Sequence, residues 1–113
     1  VIYIEGGTVS QKQLAKDLYS FCIEALNIKS AVDIDLRIQD VKDAQAWIDY
    51  EGEGKFYIDI EQDLTNHQFI TTICHEMVHV AQYLRDEAIS EKEAYQLEVD
   101  LAERFKLIWQ KTL

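Results

Sequence analysis

The sequence predicts an α+β fold in one domain: an N-terminal helix packed on a small antiparallel sheet, then a helix carrying "HEMVH" and a C-terminal helix beside it. Three observations predict this. A chain of 113 residues, 48% of them apolar or aromatic, can close a single core without crosslinks, so residues 1–113 are read as one domain. Between residues 32 and 63 apolar residues recur every second position, the period of a half-buried strand. Before and after that stretch they recur every three or four positions, the period of a helix with one buried face.

Taken in order, "VIYI" at the start reads as a short strand that "EGG" interrupts. A helix follows from Ser10, which with Gln13 has the spacing of a capping box. Its apolar face runs through Leu14, Leu18, Phe21, Cys22 or Ile23, and Ala25 or Leu26. In "VDIDLRIQD", Ile34, Leu36 and Ile38 alternate with Asp35, Arg37 and Gln39. "AQAWIDYEGEGKFYIDIEQD" reads as two further strands around a turn at Gly52 to Gly54, with Phe56, Ile58 and Ile60 on the inner face, and the three strands together as an antiparallel meander with one wet side. Thr65 and Gln68 open the next helix, whose stripe Ile70, Ile73, Met77, Ala81 and Leu84 is expected to bury the face opposite its histidines. "EAIS" ends it, and Ser90 starts a last helix with Ala94, Leu97, Leu101, Phe105 and Ile108 on one side.

Charge and cysteine content narrow the partners. Lys and Arg number 11 against 21 Asp and Glu, and a net charge of −10 argues against nucleic-acid phosphates and anionic membranes as partners. The acidic residues are spread along the chain and read as solvated faces. Cys22 and Cys74 both fall in apolar-periodic segments and are expected in the core. No apolar run has the length of a membrane span and no leader precedes the first helix, so a cytoplasmic location is expected; the start at Val1 leaves room for residues removed ahead of it.

The chemistry lies in "CHEMVH". Helical residues four apart are turned by only about 40° and raised by about 6 Å, so the imidazoles of His75 and His79 can converge on one ion. Glu76 flanks that ion and can hold a water beside it; zinc brings the pKa of such a water towards neutral, and a carboxylate can take its proton and hand it to a leaving amine. Zinc catalysis also needs a third protein ligand and an open position. A third histidine in the metzincin pattern would need Gly at 82 and His at 85, where Gln82 and Arg85 stand. His67, the remaining histidine, falls near a helix start and suits a capping or surface role better. A carboxylate of the last helix is left.

"HEMVH" followed by "EKEAY" resembles the gluzincins, zinc metallopeptidases whose third ligand is a glutamate, and most of all the small bacterial and phage metallopeptidases that pair this motif with a downstream Glu-Ala. The resemblance covers residues 54–101; before that only the order of elements is similar. It implies one zinc ion held by His75, His79 and Glu93, with Glu76 as the general base of peptide-bond hydrolysis on a peptide or protein substrate. Where the family has an aspartate after the alanine, this chain has Tyr95. The residues themselves leave other ligands open. Ser90 and Glu93 also form a capping box, an antiparallel helix pair sets His79 level with residues 97 and 98 and so favours Glu98 by depth, and Glu91 and Asp100 remain. The resemblance further implies that the strand at 55–61 is an edge that pairs with an extended substrate, the rival reading being a sheet edge kept soluble by Asp59 and Glu61. Tyr95, Tyr83 and Tyr57 are candidate donors to a developing oxyanion, and Trp47 and Trp109 read as core or interface aromatics. No roomy specificity pocket is expected in so short a chain. The rival function is a zinc-stabilised binding or regulatory module without turnover. Oligomeric state is not legible.

Overall fold

Alternating side chains build a sheet with one buried and one wet face; the first two helices lie on the buried face and the third packs on them. The computed structural model describes residues 1–111, running β1 (Ile2–Gly6), α1 (Val9–Ala25), β2 (Asp33–Gln39), β3 (Ala46–Gly52), β4 (Lys55–Glu61), α2 (Asn66–Leu84) and α3 (Glu91–Lys111). Ile34, Leu36 and Ile38 of β2 and Phe56, Ile58 and Ile60 of β4 are all buried, while Asp35, Arg37, Tyr57 and Asp59 between them point to the other side. No helix among the described residues is long and apolar enough to cross a membrane.

The sheet is mixed, which corrects the antiparallel meander. Its order is β1-β2-β4-β3, with β1 and β4 both parallel to β2 and only the β3–β4 hairpin antiparallel. Parallel neighbours need a long crossover, which α1 provides between β1 and β2. β3 takes the outer edge and β4 turns back into the gap between β2 and β3. The central position matches β4's content: its inward residues are fully buried, whereas Ala46, Ile48 and Tyr50 of β3 are only half-buried. Residues 55–61 are therefore not an edge. The hairpin turns through Gly52, Glu53 and Gly54, all at positive φ, and a Cβ on Gly54 would lie 2.3 Å from the carbonyl oxygen of Ala31.

The first helix does not sit alone on the sheet. It packs against β1, α2 and α3, starting two residues earlier than expected: Thr8 is the N-cap and forms the capping box with Gln11. The capping box of α2, Thr65 with Gln68, forms as its sequence predicts. α2 is buried on nearly all sides, including Phe69, Cys74, Val78 and Val80 as well as Ile70, Ile73, Met77 and Ala81 of the predicted stripe, whose last member Leu84 is only partly buried, because the helix lies between the sheet, α1 and α3. This removes the expected division of α2 into an apolar face and a polar face. On α3 the buried positions are Ala94, Leu101, Ala102 and Phe105; Ile108 is exposed and Trp109 packs on the core in its place. Both cysteines are fully buried, as expected.

Candidate metal centre

Because α2 is the central helix, the polar residues of its motif are held inside the protein. His79 is 4% exposed and Glu76 7% exposed, and His75 is nearly as enclosed, with its ring edge to face against that of His79 at 4.9 Å between centroids. α3 runs back beside them from the turn at residues 85–90. Its first residue, Glu91, brings one carboxylate oxygen to 2.5 Å from His79 Nε2 and the other to 3.4 Å from His75 Nε2. His75, His79 and Glu91 thus offer three ligand atoms within 4.8 Å of one another, a donor set of two imidazoles and a carboxylate.

The other acidic candidates of α3 stand elsewhere. Glu98 Oε1 lies 3.4 Å from His75 Nδ1, on the far side of that ring from Glu91. Glu93, the ligand that the resemblance implies, accepts a hydrogen bond of 2.8 Å from Gln82 Nε2 and does not join the two histidines. Asp100 faces Arg104 on the exposed side. Helical geometry accounts for the difference. Glu91 and Glu98, seven positions apart, fall within about 20° of each other on the helix wheel, beside the buried stripe that faces α2; Glu93 is turned about 200° from Glu91. The apolar periodicity of α3 already carried this signal, which the Glu-Ala motif overrode.

Glu76 has one carboxylate oxygen, Oε2, that is buried without a hydrogen-bond partner. Burial pushes its carboxyl above the usual range, with the neighbouring His75 and His79 pulling the other way and Glu91 and Glu98 adding to the rise. A buried acceptor left unmatched is uncommon and costs stability, and a bound ion or water beside it would supply the missing partner. The residues fit a bound cation: the donor set suits zinc, and an acceptor that the fold leaves idle stands next to it.

These groups open onto a cleft of about 630 Å³, larger than so short a chain promised. Its floor is the α2 motif, one wall is Tyr95 with Glu91 and Glu98, and the other is Gln45 with the start of the edge strand, Ala46 to Ile48. Thr72, buried on α2, donates to Gln45 Oε1 at 2.8 Å and so ties that strand to the motif helix. Of the three tyrosines, only Tyr95 reaches the cleft, its ring 4.7 Å from that of His75. Tyr83 packs at a tilt against Tyr50 and Phe56 at the margin of the core, and Tyr57 lies on the wet face beneath Lys55. Trp47 lines the cleft and is exposed. His67 sits in the first turn of α2 with its Nδ1 against Lys106, far along the helices from the centre. No protein-family model matches the chain, and neither a curated protein nor a solved structure is significantly similar to it.

Proposed function

We propose that the protein is a zinc-dependent metallopeptidase in which His75, His79 and Glu91 hold one ion and Glu76 is the general base. The observation that carries this reading is the unpartnered Oε2 of Glu76, buried beside three convergent ligand atoms at the bottom of an open cleft. A zinc ion in that place supplies Lewis-acid activation of water and polarises a scissile carbonyl. The chain's own groups do the rest. Glu76 takes a proton from the attacking water and passes it to the departing amine nitrogen, for which a raised proton affinity is an advantage. Tyr95, at the cleft wall, is the candidate hydrogen-bond donor to the developing oxyanion. β3, with one side unpaired and its first residues on the cleft, is the strand to which an extended substrate adds, a role that moves here from residues 55–61.

The rival is a zinc-stabilised module without turnover, and it has an observation of its own: the donors come from two helices, so an ion there would clamp α2 to α3. Glu76→Gln separates the two. If the protein is a peptidase, cleavage of a peptide library by the zinc-loaded protein falls by about 10²–10⁴-fold in this variant while one zinc is retained. No cleavage by the wild type, or equal cleavage by the variant, contradicts the peptidase reading.

A further inference from the structure

Gln82 is 1% exposed, one turn beyond the motif, and every hydrogen-bonding position of its amide is filled. Its Oε1 lies 2.9 Å from His79 Nδ1 and 3.2 Å from the backbone N–H of Ser90. Its Nε2 lies 3.2 Å from the Ser90 carbonyl oxygen and 2.8 Å from Glu93 Oε1. Three of these four partners have only one possible role: the backbone N–H donates, and the backbone carbonyl and carboxylate accept. Turning the amide over would set donor against donor at the Ser90 nitrogen and acceptor against acceptor at both the Ser90 oxygen and Glu93. The orientation of Gln82 is therefore dictated by the turn between α2 and α3, and it offers His79 an oxygen. An oxygen at Nδ1 draws the proton of the neutral imidazole there and leaves the lone pair on Nε2, which lies 2.5 Å from a Glu91 carboxylate oxygen, an approach of two acceptors that a cation between them would relieve.

We propose that Gln82 is a positioning residue that fixes the proton of His79 on Nδ1, and that Glu93 and the Ser90 backbone reach the metal centre only through Gln82. The proposal rests on the zinc reading for its consequence; in the metal-free protein the Glu91 carboxylate, 2.5 Å from Nε2, competes with Gln82 for the same proton, so the preference that Gln82 imposes shows where that carboxylate is removed or a cation stands between them. It gives Glu93 a role different from the one the family resemblance implies. It also explains why a glutamine, costly to bury unless fully satisfied, stands in the core at this position.

Long-range proton–nitrogen correlation NMR on the zinc-free Glu91→Ala protein at mildly alkaline pH, in which the carboxylate facing Nε2 is gone, reads the tautomer that Gln82 imposes. The expected result is His79 with its proton on Nδ1; a predominant Nε2-protonated form overturns the proposal, whether or not zinc binds. Zinc competition titrations then compare variants. Gln82→Leu is expected to weaken zinc binding by about 10–100-fold and to release His79 into a mixture of tautomers. Since Gln82→Leu also strips partners from a buried turn, Glu93→Gln provides the second arm: its amide oxygen still accepts from Gln82, so zinc affinity stays close to that of the wild type. If Glu93→Gln loses zinc as severely as Glu91→Gln does, Glu93 is a ligand and the proposal fails. Absence of zinc binding by the wild type would instead defeat the parent reading, and the NMR measurement would still decide this one.

Discussion

At the scale of single residues, the account depends on Glu76 being kept in the core as an acid with an idle oxygen. Its folded-state pKa is raised by burial, so between the ordinary glutamate value and the folded value the folded protein binds more protons than the unfolded chain. Stability of the zinc-free protein therefore falls as pH rises through that window. Glu76→Gln has no such ionisation. We predict that, in the presence of a chelator, the melting temperature of the variant exceeds that of the wild type by a growing margin as pH is raised from acid to neutral; a constant difference would show that Glu76 is not destabilised by its surroundings. The sequence made His75, Glu76 and His79 legible because their relation is local: one helix, fixed angles, a spacing of four. It did not make the burial of Glu76 legible, since that comes from the sheet and α3 closing over both sides of the helix.

At the scale of elements, the hairpin of α2 and α3 brings together His75, His79 and Glu91, the proposed ligands, and the β3–β4 hairpin brings the edge strand to the cleft. The choice among the acidic residues of α3 shows what local reading misses. "EKEAY" offers Glu91 and Glu93 two positions apart, and a motif match favours the one before the alanine, but the helical wheel sends them to different neighbours, Glu91 to the histidines and Glu93 to Gln82. Strand order was beyond reach for a related reason. Alternation tells which face of a strand is buried but not which strand lies next to it, and the fuller burial of Phe56, Ile58 and Ile60 over Ala46, Ile48 and Tyr50 emerges only once β4 is seated inside the sheet. The turn that allows this layout is testable. Gly54→Ala forces a side chain against the Ala31 carbonyl at a positive φ of 78°, and we predict a loss of more than about 1 kcal/mol in denaturant melts. An unchanged midpoint would mean that the hairpin tolerates a different turn.

At the scale of the whole molecule, one small α+β domain carries its polar centre where the second and third helices meet, next to the unpaired edge of a mixed sheet. The fold class, the single wet face of the sheet and the buried cysteines followed from composition and periodicity; the parallel pairing of β1, β2 and β4 depends on long-range closure that no short window contains. A ligand that binds only the folded state stabilises it by mass action, about 2.7 kcal/mol at a free concentration one hundred times the dissociation constant. We therefore predict that zinc raises the melting temperature by several degrees in the wild type and much less in Glu91→Ala, as followed by calorimetry. X-ray absorption at the zinc edge, on protein loaded with one equivalent of metal, tests the centre most directly. The account predicts two imidazole nitrogens and oxygen ligands at about 2.0–2.2 Å, with one imidazole lost in His79→Ala. Zinc that is surrounded by oxygen alone, or an unchanged spectrum in that variant, would contradict it.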